Sequence, residues 1–140
     1  MLKLLLTLYI GVFATAFAAF GQGDWTSLYN DGKVAIEYRY SDCHRPEDGI
    51  HKQNVHFRFT NLTASAQQVS YQKKVSYNNK PAAAPSAENT FAVTLKPEEV
   101  LEGSCSLKDN RLAIFVKMLD GTSQSVMSSF ELVNIKVTQP

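Results

Sequence analysis

An excess of charge of either sign is missing from this chain: 14 Lys+Arg stand against 13 Asp+Glu among 140 residues. Phosphate contacts draw on a basic excess, so the balance argues against a general nucleic-acid binder. Cysteine occurs twice, histidine three times and tryptophan once. Two cysteines allow only one bridge, and neither belongs to a C-x-x-C pair, which removes the usual redox dithiol. No G-x-S-x-G, H-E-x-x-H or phosphate-loop motif occurs, so the hydrolase, metalloprotease and nucleotide-binding classes that depend on them lose their signatures. There is also no amphipathic helix, internal repeat or sign of a second domain after residue 25, and the length suits one domain.

What is present is concentrated first at the N-terminus, where 16 of residues 1–21 are apolar. Lys3 gives a short positive start, an uncharged run from Leu4 to Phe20 follows, and Ala19 and Gly21 are small residues three and one positions before Gln22. This is the layout of a secretory signal peptide, with cleavage expected before Gln22. An uncleaved anchor is the alternative, since the run lies near the lower limit for spanning a bilayer. No cysteine lies near the cleavage region, which excludes an N-terminal lipid anchor. The expected product is a single domain over residues 22–140, secreted or periplasmic, with no stable membrane insertion. Loss of Lys3 with the leader leaves it 13 basic and 13 acidic residues. Export into an oxidising compartment predicts a structural disulfide between Cys43 and Cys105.

The remaining periodicity is two, the pattern of strands with one buried face. Val34, Ile36, Tyr38 and Tyr40 share one face of 33–41, and Val55, Phe57 and Phe59 share one face of 54–61 against His56 and Arg58. In 68–77, Val69, Tyr71, Val75 and Tyr77 form a row that Lys73 interrupts, which predicts an edge strand or a bulge. Phe91, Val93 and Leu95 alternate. Residues 111–119 are apolar on both faces and read as a central strand. The last strand changes phase between Leu132 and Val133, the mark of a bulge. Asn30-Asp31-Gly32 predicts a tight hairpin, Asp120-Gly121 a second turn, Asn61 a turn former, and 80–87 an exposed loop. With Trp25–Tyr29 as a first short strand, seven strands and one disulfide predict an all-β antiparallel sandwich.

Val55-His-Phe-Arg-Phe-Thr-Asn-Leu-Thr63, Val69-Ser-Tyr71 and Phe91-Ala-Val-Thr-Leu-Lys-Pro-Glu-Glu99 resemble segments of immunoglobulin-like or fibronectin-type sandwich domains. The whole body resembles small exported proteins of Bacteroidota-type bacteria. The resemblance implies a fold and, by analogy, an accessory or recognition role. The chain departs from true immunoglobulin domains in that its cysteines fall at strand ends or in loops and its tryptophan precedes both.

Several chemistries can be weighed. His44, His51 and His56, near Asp42, Glu47 and Asp48, offer transition-metal ligand types, although the spacing matches no standard motif and a bridge would remove Cys43 as a ligand. Glu98, Glu99 and Glu102, or Glu47 and Asp48, are the acidic groups from which glycoside cleavage would be built. Trp25 and Tyr29, near the exposed start, are the expected surface aromatics for a sugar ring or a protein partner, whereas Tyr38, Tyr40, Tyr71 and Tyr77 fall on predicted core faces. The loops at 42–53 and 79–89 are the expected binding surfaces. The leading expectation is a non-enzymatic module that recognises a protein or polysaccharide or serves envelope structure, without a cofactor. The alternative is a small envelope metal-binding protein or hydrolase using segment 42–56, and a third possibility is a subunit that pairs an edge strand with its partner.

Overall fold

Alternation turns directly into two antiparallel sheets. The computed structural model describes residues 23–80 and 89–140; the leader, its cleavage site and most of the 80–87 stretch lie outside the described residues. The strands are β1 (Thr26–Asn30), β2 (Val34–Arg45), β3 (Ile50–Asn61), β4 (Gln67–Tyr77), β5 (Thr90–Leu95), β6 (Val100–Glu102), β7 (Ala113–Met118) and β8 (Met127–Thr138). One sheet runs β1-β2-β3, with β6 and β7 sharing the far side of β3, and the other runs β5-β4-β8. The fold is an all-β antiparallel sandwich with eight strands among the described residues rather than seven. The additional one, β6, is only three residues long and too short to show alternation.

The core consists of the inward rows. Val34, Ile36, Val55, Phe57 and Phe59 from the first sheet meet Val69, Tyr71, Val93 and Leu95 from the second, all buried. Gly32, at φ 83°, supplies the left-handed residue of the β1–β2 turn, and Asp31 Oδ1 accepts from Lys33 N and Val34 N at 2.8 Å each. Asn61 is buried and closes its own turn: its Oδ1 accepts from Thr63 N at 2.9 Å, while its Nδ2 donates to Ser65 O and Lys96 O. The phase change in the last strand is a bulge. Ser70 faces Lys136 but Gln72 faces Val133, and the extra residue Asn134 sits at φ 53°.

Four expectations are corrected. Tyr40, expected inside, is 41% exposed, because the β2–β3 hairpin runs on beyond Tyr38, the last residue of this row of β2 to pack against the core among the described residues. For the same reason 42–53 is not a loop but the continuation of this hairpin around a short 3₁₀ turn at Pro46–Asp48. The strand at 113–118, expected to be central, is an edge that pairs only with β3. Its second apolar face, at Phe115, is explained by a pocket rather than by a further strand. Finally, Lys73 is expected to mark an edge strand or a bulge: the edge is corrected, since Lys73 lies on the central strand of its sheet, while the pairing of that strand with β8 does shift register beside it, between Ser70 and Gln72. Its row reaches across the sandwich to give β7 and the turn before it hydrogen-bond partners: Tyr71 donates to Arg111 O, Lys73 to Asn110 O and Ala113 O, and Tyr77 to Phe115 O. Carbonyls of an edge strand are thereby paired within the molecule.

Burial pushes the Lys73 ammonium down to about 8 from its ordinary 10.5, against the attraction of Asp109. Between those values the unfolded chain holds the proton and the folded chain does not, so stability rises with pH across this window. Above pH 10 burial of Tyr71, whose pKa is raised, reverses the trend, because the unfolded phenol ionises first. Lys73→Met is expected to flatten the rise between pH 8 and 10, as read by urea unfolding at a series of pH values.

Candidate functional site

The outward face of the β2–β3 hairpin carries the polar members of the alternation, and it is covered rather than solvated. Gly103 N donates to Phe57 O at 2.9 Å, Cys105 is bridged to Cys43 with their Cα atoms 5.4 Å apart, and these two ties hold segment 103–110 over the hairpin. Gly103 is required by close approach. A Cβ there would stand 2.4 Å from Leu112 O and 3.3 Å from His56 Cδ2.

Beneath this cover the polar row is buried. Arg39 pairs with His56, and Ser41 with Asn54, as direct cross-strand neighbours. Arg39 Nε, Ser41 Oγ, Asn54 Oδ1 and His56 Nδ1 are the buried side-chain atoms without a hydrogen-bond partner among the described residues. They form one contiguous block of two register pairs. Buried polar atoms are ordinarily paired, so such a concentration is a functional pointer. His56 is 1% and Asn54 8% exposed, and both line a half-open pocket of about 450 Å³. Ile50, Leu107 and Phe115 give it apolar walls, while Arg45, Lys52, Lys108 and Asp109 carry its charges. Burial holds the His56 imidazole below its ordinary pKa, and the charges of Arg39 and Lys52 act in the same direction. It is therefore a neutral ring near pH 7, with one nitrogen a donor and the other an acceptor.

Asp109 is committed elsewhere. Its carboxylate lies 2.7 Å from Arg111 Nη2, and hydrogen bonds from Arg111 hold its pKa low despite partial burial. Arg45 is paired with Asp48 at 3.0 Å. Lys52 and Lys108 have no ion pair among the described residues, leaving two uncompensated cations at the pocket.

The residues singled out from sequence are only partly brought together. His44 and His51 are cross-strand neighbours with their Nδ1 atoms 3.1 Å apart, one donating and the other accepting. They project from the face opposite His56, so the three histidines do not converge on one ion. Cys43, His56 and Cys105 bring their ligand atoms within 4.8 Å of one another, yet the bridge consumes both sulfurs and leaves one imidazole. Trp25 lies over Arg39 and Arg58, with each guanidinium carbon 4.4–4.5 Å from the ring centre. The same arginines reach Glu102 and Glu37, at 3.2 and 2.8 Å, so Trp25 is clamped on a charged ladder beside the pocket. Tyr29 is on the other face, partly buried against the core, with its hydroxyl donating to Asp31. The two expected surface aromatics therefore do not form one platform. Of the acidic groups, Glu47, Glu98, Glu99 and Glu102 do not line this pocket.

Sequence reasoning placed His56 only as a metal candidate and missed Asn54, Lys52, Lys108 and Phe115. The available signal was the second apolar face at 113–115 together with a cysteine at 105 that must reach Cys43. No family model matches the chain, and no curated protein or solved structure is similar to it. Among the described residues no helix is long and apolar enough to cross a membrane.

Proposed function

We propose that this protein is an exported, immunoglobulin-like recognition module without enzymatic activity, and that it takes its ligand, a segment of polysaccharide or of a partner protein, at the pocket beneath segment 103–110. One observation carries this reading: the block of unpartnered buried polar atoms belongs to the same stretch of hairpin whose Asn54 and His56 line the pocket, so the cavity brings polar, apolar and cationic side chains to one place. The leader-like N-terminus and the disulfide support export to the periplasm or beyond. The separation of the three histidines, and the ion pairing of Asp109 with Arg111, favour binding over metal or acid–base chemistry.

The test is to screen the oxidised mature chain on an array of microbial and plant polysaccharides and, in parallel, by affinity capture from its host's exported fraction. Binding should weaken at least about tenfold in Asn54→Leu, which replaces a polar group of the pocket floor by an apolar one, a change on the order of one hydrogen bond, roughly 1–3 kcal/mol. It should persist in Tyr40→Ser, on the opposite face of the same hairpin. Ligands whose binding ignores Asn54→Leu would place recognition elsewhere.

A further inference from the structure

Resting on that reading of the pocket, we infer that its ligand is an anionic sugar: a pyranose carrying a carboxylate or sulfate group, seated with its ring against Phe115 and its anion toward Lys52 and Lys108. Three features of the pocket point to this class. The floor is neutral but polar, formed by the side chains of Asn54 and His56, an amide and an imidazole that between them can donate and accept hydrogen bonds. The wall is apolar, with Phe115, Leu107 and Ile50 facing the same space, which suits the C–H face of a sugar ring. Among the described residues the rim holds two cations without ion pairs, Lys52 and Lys108, whereas the carboxylate of Asp109 is already taken by Arg111.

The alternatives fit less well. A free inorganic anion would use the rim but leave the apolar wall at Phe115 and Leu107 without a partner. A neutral glycan would use the floor and the wall but make no use of Lys52 and Lys108. A cationic ligand is opposed by both lysines and by Arg45. A pocket of about 450 Å³ belongs to the size range of ordinary small-ligand sites, so it takes a chain end or a single protruding residue rather than a chain lying flat.

The inference is tested with the oxidised mature protein and three probes of matched length: oligogalacturonate, a sulfated oligogalactan and the neutral oligogalactan, each titrated by calorimetry at low and at physiological ionic strength. At least one anionic probe should bind about tenfold or more tightly than the neutral one, and its affinity should fall as salt rises. Lys52→Gln with Lys108→Gln should remove that preference while leaving thermal unfolding unchanged, since both side chains lack ion pairs. Which anionic probe wins distinguishes carboxylate from sulfate. Equal binding of the neutral and anionic probes, lost in Asn54→Leu, would overturn the anionic class while the recognition site stands. Anionic binding that survives both the lysine pair and Asn54→Leu would put the binding site outside this pocket and overturn the inference together with the reading of the pocket on which it rests. Failure of all three probes would overturn the sugar class, and the wider array and capture screen then decides the site by itself.

Discussion

Replacing Cys43 and Cys105 together by serine is expected to lower the unfolding free energy by about 4 kcal/mol, the chain-entropy value for a closed loop of this length. The bridge joins positions 62 residues apart, and a domain of this size has only about 5–15 kcal/mol in hand. The loss should also be local. Besides the bridge, segment 103–110 is tied to the hairpin by the Gly103–Phe57 hydrogen bond, so the serine variant should open the cover and let water reach His56. Two readouts follow. Urea unfolding should show the fall in stability, and NMR titration should show the His56 pKa returning toward the ordinary imidazole value as its burial is relieved. A variant with unchanged unfolding would mean that the bridge closes a loop the fold already orders.

Tyr71→Ala should be of similar size, about 3–5 kcal/mol, for a different reason. Tyr71 is 1% exposed and stands between the sheets. Its ring centre is 5.4 Å from that of Phe59 and 5.7 Å from that of Phe91, and its hydroxyl donates to Arg111 O. Truncation removes the aromatic bridge and orphans that carbonyl in one step. Tyr71→Phe separates the parts: it keeps the ring, loses the hydroxyl, and should cost about 1 kcal/mol. Chemical denaturation of both variants checks the ratio, and equal losses would assign the effect to the hydrogen bond rather than to packing.

Much of the sandwich could be read from alternation, because a period of two is imposed wherever one face of a strand is buried. Val55, Phe57 and Phe59 were placed inside on that basis, and the phase change at Val133 marked the bulge at Asn134. The errors share one cause: alternation tells which residues share a face but not what covers it. Tyr40 has the phase of the core but overhangs it. His56 has the phase of solvent but is sealed by a segment that arrives from forty-odd positions away through a disulfide. Lys73 broke its row because it spans the sandwich to backbone carbonyls, a role that has no sequence period at all. The cysteines were legible as a pair, since only one pairing is possible. What the pair does, building a roof over a polar face, depends on the register of β2 against β3, and that register places Arg39 beside His56 and Ser41 beside Asn54.

The pocket under that roof is the centre of the account, and one measurement reaches it most directly. The oxidised protein spanning residues 22–140, isotopically labelled, is titrated with the strongest binder from the polysaccharide and protein screens while amide, side-chain amide and imidazole resonances are followed by NMR. The largest shifts should fall on the Asn54 side-chain amide, the His56 ring and Phe115, with a smaller response at the Trp25 indole on the adjoining ladder. Shifts centred on the His44–His51 pair or on Tyr29, with Asn54 and His56 silent, would contradict this.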